Sequence, residues 1–355
     1  MSRKRILVLS VVFVVLAVLV YFQVREWRRF DWEKFAAGSE GIRWWGVLYA
    51  VMLVYAADFL RAVRWKIFLK PSIPNASWTG LISPQYVGFA ASALLGRPGE
   101  LIRPYLIAKR ENSTLSEQMA IWFVERAFDT GAVTVIVVYD LFFVPYIREG
   151  YPGLRTFGLA LSGLFLGFVV LLWGVWTHGP AVAAWLCRVV SPASPALGSK
   201  LEIRIRSMSR GLNAFHSKLA VFESVLISLL IWILVAIAYR EIVHSYPELT
   251  GLPGLDLPEA ILLMGASVAG GVISLPLIGG GAQLATISVL VQHFGFEPEV
   301  AVSCGMLCWL VTFMSVIPLG LGLARHEHVS LRRLTTESHQ AERAAEADDP
   351  PRWRS

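Results

Sequence analysis

Charge and cysteine are both scarce in this chain. Charged side chains make up 16% of the 355 residues, against roughly 25% in an average soluble domain, which is too little to clothe a water-facing surface. The three cysteines, Cys187, Cys304 and Cys308, are too few and too scattered for a disulfide scaffold or a CxxC metal site. Cys304 and Cys308 would share a helix face, but no further ligands stand nearby in sequence, so they read as small apolar residues. The seven histidines form no HExxH spacing, and GxSxG elbows and Walker loops are missing. No metal and no cofactor is therefore expected, and nothing points to nucleotide-driven chemistry. Lys and Arg outnumber Asp and Glu by 32 to 26, but they sit between apolar runs, where they set orientation in a bilayer. Nucleic acid is accordingly not an expected partner.

Apolar sequence is what the chain has in abundance. Apolar residues are 55% of the total, with 13 Trp and 19 Phe, a composition that excludes a disordered chain. The expected fold class is all-α, a polytopic helical membrane protein with about six full spans plus two interrupted or re-entrant helical hairpins. The spans are read at residues 6–24, 44–60, 116–144, 154–176, 219–244 and 300–324, each near the ~20 residues needed to cross the hydrocarbon. The first ends without a small-residue cleavage site and reads as a retained signal anchor. The hairpins are read at 77–95, interrupted by Pro84 and Gly88, and at 258–294, interrupted by Pro276 and Gly279-Gly280-Gly281. Residues 1–325 form the membrane domain; residues 326–355 form a polar tail that cannot bury a core and is expected to be disordered.

Basic residues orient these spans. Arg61, Arg64, Lys66 and Lys70, then Arg97, Arg103, Lys109 and Arg110, then the six Lys and Arg of 188–218 mark cytoplasmic segments, while 245–257 and 295–299 carry none. An inner-membrane, multi-pass protein with both termini cytoplasmic satisfies this. The loop 25–43, placed outside with five basic residues, strains it. The stretch 191–218 fits either a solvated basic loop or a helix lying on anionic lipid. Trp44, Trp45, Trp65 and Trp78 fall near span ends and read as interface anchors.

A charge at the centre of a membrane helix costs at least ~2.5–3.5 kcal/mol on insertion scales, so each one needs a partner or a wet cavity. The third span holds Glu125, Arg126 and Asp129, with the carboxylates four apart on one face and Arg126 three before Asp129. They serve either a polar guest or an internal ion pair that locks helices. Asp58, Arg240 and Glu241 lie nearer span ends and are read as snorkelling. In the segment 96–105, Gly96 and Gly99 permit close backbone approach, Pro98 and Pro104 break the helix, and Arg97 and Arg103 offer forks suited to phosphate. In the second hairpin, Gly279, Gly280 and Gly281 at membrane depth would bare backbone N–H groups that protein, water or a ligand must satisfy.

The runs GRPGELIRPYLIAKR and SEQMAIWFVERAFD, preceded by RAVRW at 61–65 and followed by a Pro-then-Gly-rich hairpin, resemble the lysylphosphatidylglycerol synthase transmembrane-region family of flippase-like membrane proteins. The resemblance covers about residues 5–325. It implies a membrane region that moves a lipid head group across the bilayer. The expectation is a stand-alone member without the aminoacyl-transferase domain that bifunctional relatives carry. On this resemblance Gly96, Arg97, Gly99, Glu100 and Arg103 match one block, and Glu125, Arg126 and Asp129 a second. Gln283 stands where a glutamate is commoner, which takes away a partner for a cationic head group. The expected lipid-binding residues are thus Arg97, Gly99, Glu100, Arg103, Glu125, Arg126, Asp129, Gly279, Gly280, Gly281 and Gln283. The expected partner is an anionic or isoprenoid-linked lipid. The rival readings are a membrane-embedded lipid aminoacyl or glycosyl transferase, and an accessory subunit for a separately encoded transferase.

Overall fold

The computed structural model describes residues 31–111, 113–150, scattered positions between 153 and 170, 217–271, 274–275 and 279–326. The expected span at 6–24, most of that at 154–176, the stretch 191–216 and the tail from 327 lie outside the described residues. Within them the chain is helical: α1 (Trp32–Ser39), α2 (Trp44–Leu69), α3 (Trp78–Leu95), a 3-10 turn (Arg97–Leu101), α4 (Ile102–Arg110), α5 (Leu115–Phe143), α6 (Pro145–Gly150), α7 (Lys218–His244), α8 (Leu257–Gly270), α9 (Gly281–Gln292), α10 (Pro298–Trp309) and α11 (Val316–His326). Leu310–Met314 make a π turn that keeps the last two helices continuous.

Local chemistry sets the starts. Asp31 accepts the Glu33 and Lys34 N–H groups at 3.1 and 3.0 Å, Thr114 accepts Glu117 N–H at 3.2 Å, and Ser217 accepts Leu219 N–H at 3.1 Å. These satisfy the donors that a first helical turn leaves unpaired. Glu259 reaches back to the Asp256 N–H at 3.1 Å at the head of α8. An exposed ion pair, Lys34 to Glu297 at 3.2 Å, ties α1 to the start of α10, and the carboxylate holds the Lys34 ammonium above its ordinary pKa.

Among the described residues three helical stretches are long and apolar enough to cross a bilayer: Trp44–Leu69, Lys218–His244 and Pro298–Arg325. The second span is longer than the expected 44–60. Arg61 and Arg64 lie inside α2 and are buried, so they are not the cytoplasmic loop residues that positive-inside counting suggested. At 29 residues α5 also has the length, but it carries Glu117, Glu125, Arg126, Asp129 and Asp140.

The bundle buries a charged cluster beside its apolar core and turns large apolar side chains outward. Arg64 and Glu125 are fully buried, while Leu219, Phe222, Leu226, Leu230 and Ile233 form an exposed stripe along α7, and Leu48, Tyr49 and Met52 do the same on α2. That arrangement suits lipid, which solvates apolar side chains and rejects charge. Helix association in lipid depends on close packing, and small residues supply it between α2 and α7: Ala50, Ala57 and Ala238 are fully buried, and a Cβ on Gly46 would lie 2.3 Å from Ser245 Oγ. Trp44, Trp45 and Trp78 are exposed, but Trp65 is buried, so it is not an interface anchor.

The two hairpins differ from each other. The first is not interrupted where expected. α3 runs through Pro84 and Gly88, and the break follows at Gly96, with φ +70°. Gly88 is there for contact, since a Cβ on it would meet Arg103 Cβ at 2.4 Å. The second hairpin is broken as its Pro and Gly content implies, into α8 and α9. Between them Ser274–Leu275 (β1) pairs antiparallel with Gly279–Gly280 (β2), Ser274 opposite Gly280. Gly280 sits at φ +114°, a conformation that favours glycine. The half-helices touch backbone to backbone, because a Cβ on Gly270 would lie 2.1 Å from the Gly281 carbonyl oxygen.

Candidate functional site

The α2 sequence places Asp58, Arg61 and Arg64 three apart, on one face of the helix, and turns that face toward α5. Arg64 Nη2 lies 3.1 Å from Glu125 Oε1 and 2.8 Å from Asp129 Oδ1, and its Nη1 donates to Ser228 Oγ at 2.5 Å. Glu125 also receives Arg103 of α4 on both oxygens; Arg103 Nη1 donates to Gln85 Oε1 at 3.1 Å, and its guanidinium lies 4.4 Å from the centre of the Trp65 ring. Asp58 pairs with Arg61 at 2.8 Å, and Trp232 Nε1 donates to Asp129 Oδ1 at 3.2 Å. The result is four guanidinium groups, Arg61, Arg64, Arg103 and Arg126, set around three carboxylates, Asp58, Glu125 and Asp129.

Arg126 differs from the other three. Its side chain is 38% exposed, and its carboxylate neighbours Glu125 and Asp129 stand at 3.6 and 3.8 Å, beyond hydrogen-bond length. That exposure faces a cavity of about 320 Å³, at the lower end of the range typical of ligand pockets. The cavity is walled by α2, α3, α5, α7, α8 and the π turn. Asp58, Arg61, Glu100, Arg103, Arg126 and Asp129 make its charged end. Gly96, at the break after α3, and Gly271, just past α8, both reach it.

The expected site residues fall into three groups. Glu100, Arg103, Arg126 and Asp129 line the cavity, and Glu125 lies behind them, clamped by Arg64 and Arg103. Gly99 is a packing position, where a Cβ would lie 2.2 Å from the Ala91 carbonyl oxygen; Arg97 opens the 3-10 turn, and its side chain is outside the described residues. Gly280, Gly281 and Gln283 are not among the lining residues, and Gly279 belongs to β2. The second hairpin reaches the cavity through Met264, Ser267, Val268 and Gly271, all before its glycine run. The close partner of Asp129 is Arg64, where sequence spacing pointed to Arg126.

Sequence reading passed over Asp58, Arg61 and Arg64 as end-of-span residues. Their regular three-residue spacing on an apolar helix was the available signal. Tyr239, Ser267 and Thr312 also line the cavity, and nothing in the sequence set them apart from other hydroxyl residues of membrane helices.

No solved structure matches this chain. Among curated proteins, a UPF0104 membrane protein of Pyrococcus horikoshii is 24% identical over 296 residues, 78% of this chain and 84% of the relative. Another, from Methanothermobacter thermautotrophicus, is 24% identical over 291 residues, 78% of this chain and 83% of that one. The family model described as the lysylphosphatidylglycerol synthase TM region matches residues 7–320, and the chain is therefore a membrane protein belonging to that family.

Proposed function

We propose that the protein binds the anionic head group of a phospholipid or isoprenoid-linked lipid in this cavity and helps it cross the cytoplasmic membrane. The observation that carries this reading is Arg126, a guanidinium on the wall of an internal cavity, 38% exposed and with no carboxylate within hydrogen-bond length. A guanidinium without a close carboxylate is costly away from bulk water, and a phosphate oxygen in the cavity would meet its exposed edge with a charge-assisted bond. The other arginines are held by Asp58, Glu125 and Asp129, so the site is shaped before a ligand arrives. Residence in the inner membrane with both termini cytoplasmic is part of the proposal. A transferase would need an accessible acid or base; Glu125 is closed off by Arg64 and Arg103, so that chemistry would have to rest on Glu100.

Fluorescent-lipid exchange in proteoliposomes tests the proposal. Wild-type protein should accelerate movement between leaflets, and Arg126→Ala should slow it by about tenfold or more, the loss expected for a hydrogen bond to a charged group. Equal rates for wild type, variant and protein-free vesicles across several lipid classes would remove the transport reading.

A further inference from the structure

The cavity has a second end whose chemistry is neutral. Tyr239 on α7, Ser267 on α8 and Thr312 in the π turn all line it. Thr312 Oγ1 donates to the Cys308 carbonyl at 2.7 Å, which leaves its lone pairs for other donors. The π turn itself, closed by Ser315 N–H to Leu310 O at 2.9 Å, is the kind of helix irregularity that recurs at functional sites. Trp232, which bonds Asp129 at the charged end, and Tyr239 are seven residues apart on α7, about 10 Å along the axis at 1.5 Å per residue. Val235 lines the wall between them.

This arrangement discriminates among head groups. An ammonium carries donors only and needs a carboxylate or an open aromatic face. On the wall Asp58 and Asp129 are each occupied by an arginine at 2.8 Å, which leaves Glu100 as the third carboxylate there. Three of the wall's five aromatic rings already carry a guanidinium: Arg61 lies over Phe89 and Trp232, and Arg126 over Trp122, at 5.4 to 5.7 Å. Hydroxyl groups, by contrast, both donate and accept, and so match a wall of hydroxyls.

Building on the reading of the cavity as a lipid head-group site, we propose that it selects a phosphodiester bearing a neutral polyol, such as glycerol, inositol or a sugar. The phosphate would lie at Arg126 and the polyol at Tyr239, Ser267 and Thr312, with ethanolamine, choline and aminoacylated head groups disfavoured.

Native mass spectrometry of the full-length protein in detergent tests this with an equimolar mixture of phosphatidylglycerol, phosphatidylinositol, phosphatidylethanolamine, phosphatidylcholine and phosphatidic acid. The two polyol lipids should bind about tenfold tighter than the ethanolamine and choline lipids. Tyr239→Phe and Thr312→Val should each lower the preference for phosphatidylglycerol over phosphatidic acid by about tenfold, the loss of one or two hydrogen bonds. Ser267→Ala replaces either variant that fails to fold. Retention of phosphatidylethanolamine or phosphatidylcholine as strongly as phosphatidylglycerol overturns the proposal, as does an unchanged preference in the variants. Arg126→Gln separates the two levels. Weakened binding of every lipid with an unaltered polyol preference in the hydroxyl variants sinks only this inference, whereas no effect of Arg126→Gln on any lipid sinks the site itself. Soluble myo-inositol 1-phosphate is the last arm: binding as tight as phosphatidylinositol supports the same chemistry with a free ester as its source, and much weaker binding supports the lipid.

Discussion

Replacing Glu125 by Gln is the most direct test of the buried ion network. The side chains are the same size, so packing is retained and charge is the main change. In the native arrangement Glu125 neutralises Arg103 through both oxygens and Arg64 at 3.1 Å. A glutamine offers one acceptor oxygen and must turn its NH2 toward a guanidinium, which also only donates. Arg64 keeps Asp129 at 2.8 Å and Ser228 at 2.5 Å. Arg103 keeps Gln85 and the Trp65 ring but loses its carboxylate. The four guanidinium groups would then face two carboxylates. Removing one member of a buried charge pair costs about 3–5 kcal/mol, mostly because the other charge stays buried. We expect a loss of that size for Glu125→Gln in equilibrium unfolding from detergent micelles into sodium dodecyl sulfate. Adding Arg103→Met should recover much of it, because the stranded charge is removed and the volume is filled. A loss below about 1 kcal/mol, or a double variant no more stable than the single one, would refute this account.

Two further substitutions probe the break and the wall. Gly270→Ala should destabilise the protein by about 1–3 kcal/mol, the usual cost of overpacking, because its Cβ would lie 2.1 Å from the Gly281 carbonyl oxygen and 2.7 Å from Ala285 Cβ. A cysteine pair placed across α8 and α9 should cross-link more slowly in that variant, and unaltered stability with unaltered cross-linking would show that the half-helices do not rely on this contact. Trp232→Phe keeps a ring beneath Arg61 but removes the donor to Asp129 at 3.2 Å; a loss of about 1.5–3 kcal/mol is expected for a hydrogen bond to a charged acceptor, and unfolding unchanged from wild type would remove that bond from the account.

Much of the architecture was legible because lipid imposes strong rules on sequence. Apolar length marked α2, α7 and the run from α10 to α11, and the Pro and Gly content of 258–294 marked the division into α8 and α9. The limits of α2 were misjudged because Asp58, Arg61 and Arg64 resemble the flank of a span when counted as charges along a line. On a helix that continues to Leu69 they form a face that Glu125 and Asp129 of α5 can meet. Pro84 misled for a similar reason. A missing N–H is tolerated inside a membrane helix when surrounding protein satisfies the freed carbonyl, and α3 continues through it.

Sequence alone decided that this chain belongs in lipid, that it is helical, and that Glu125, Arg126 and Asp129, if set in hydrocarbon, need a partner or a wet cavity. Which arginine neutralises which carboxylate, and that Arg126 is the most exposed of the three arginines lining a cavity reached by both hairpin breaks, was settled by the packing of α2, α4 and α5. Those pairings join residues up to 65 positions apart, such as Arg64 and Asp129, and helical periodicity speaks only for neighbours three or four apart.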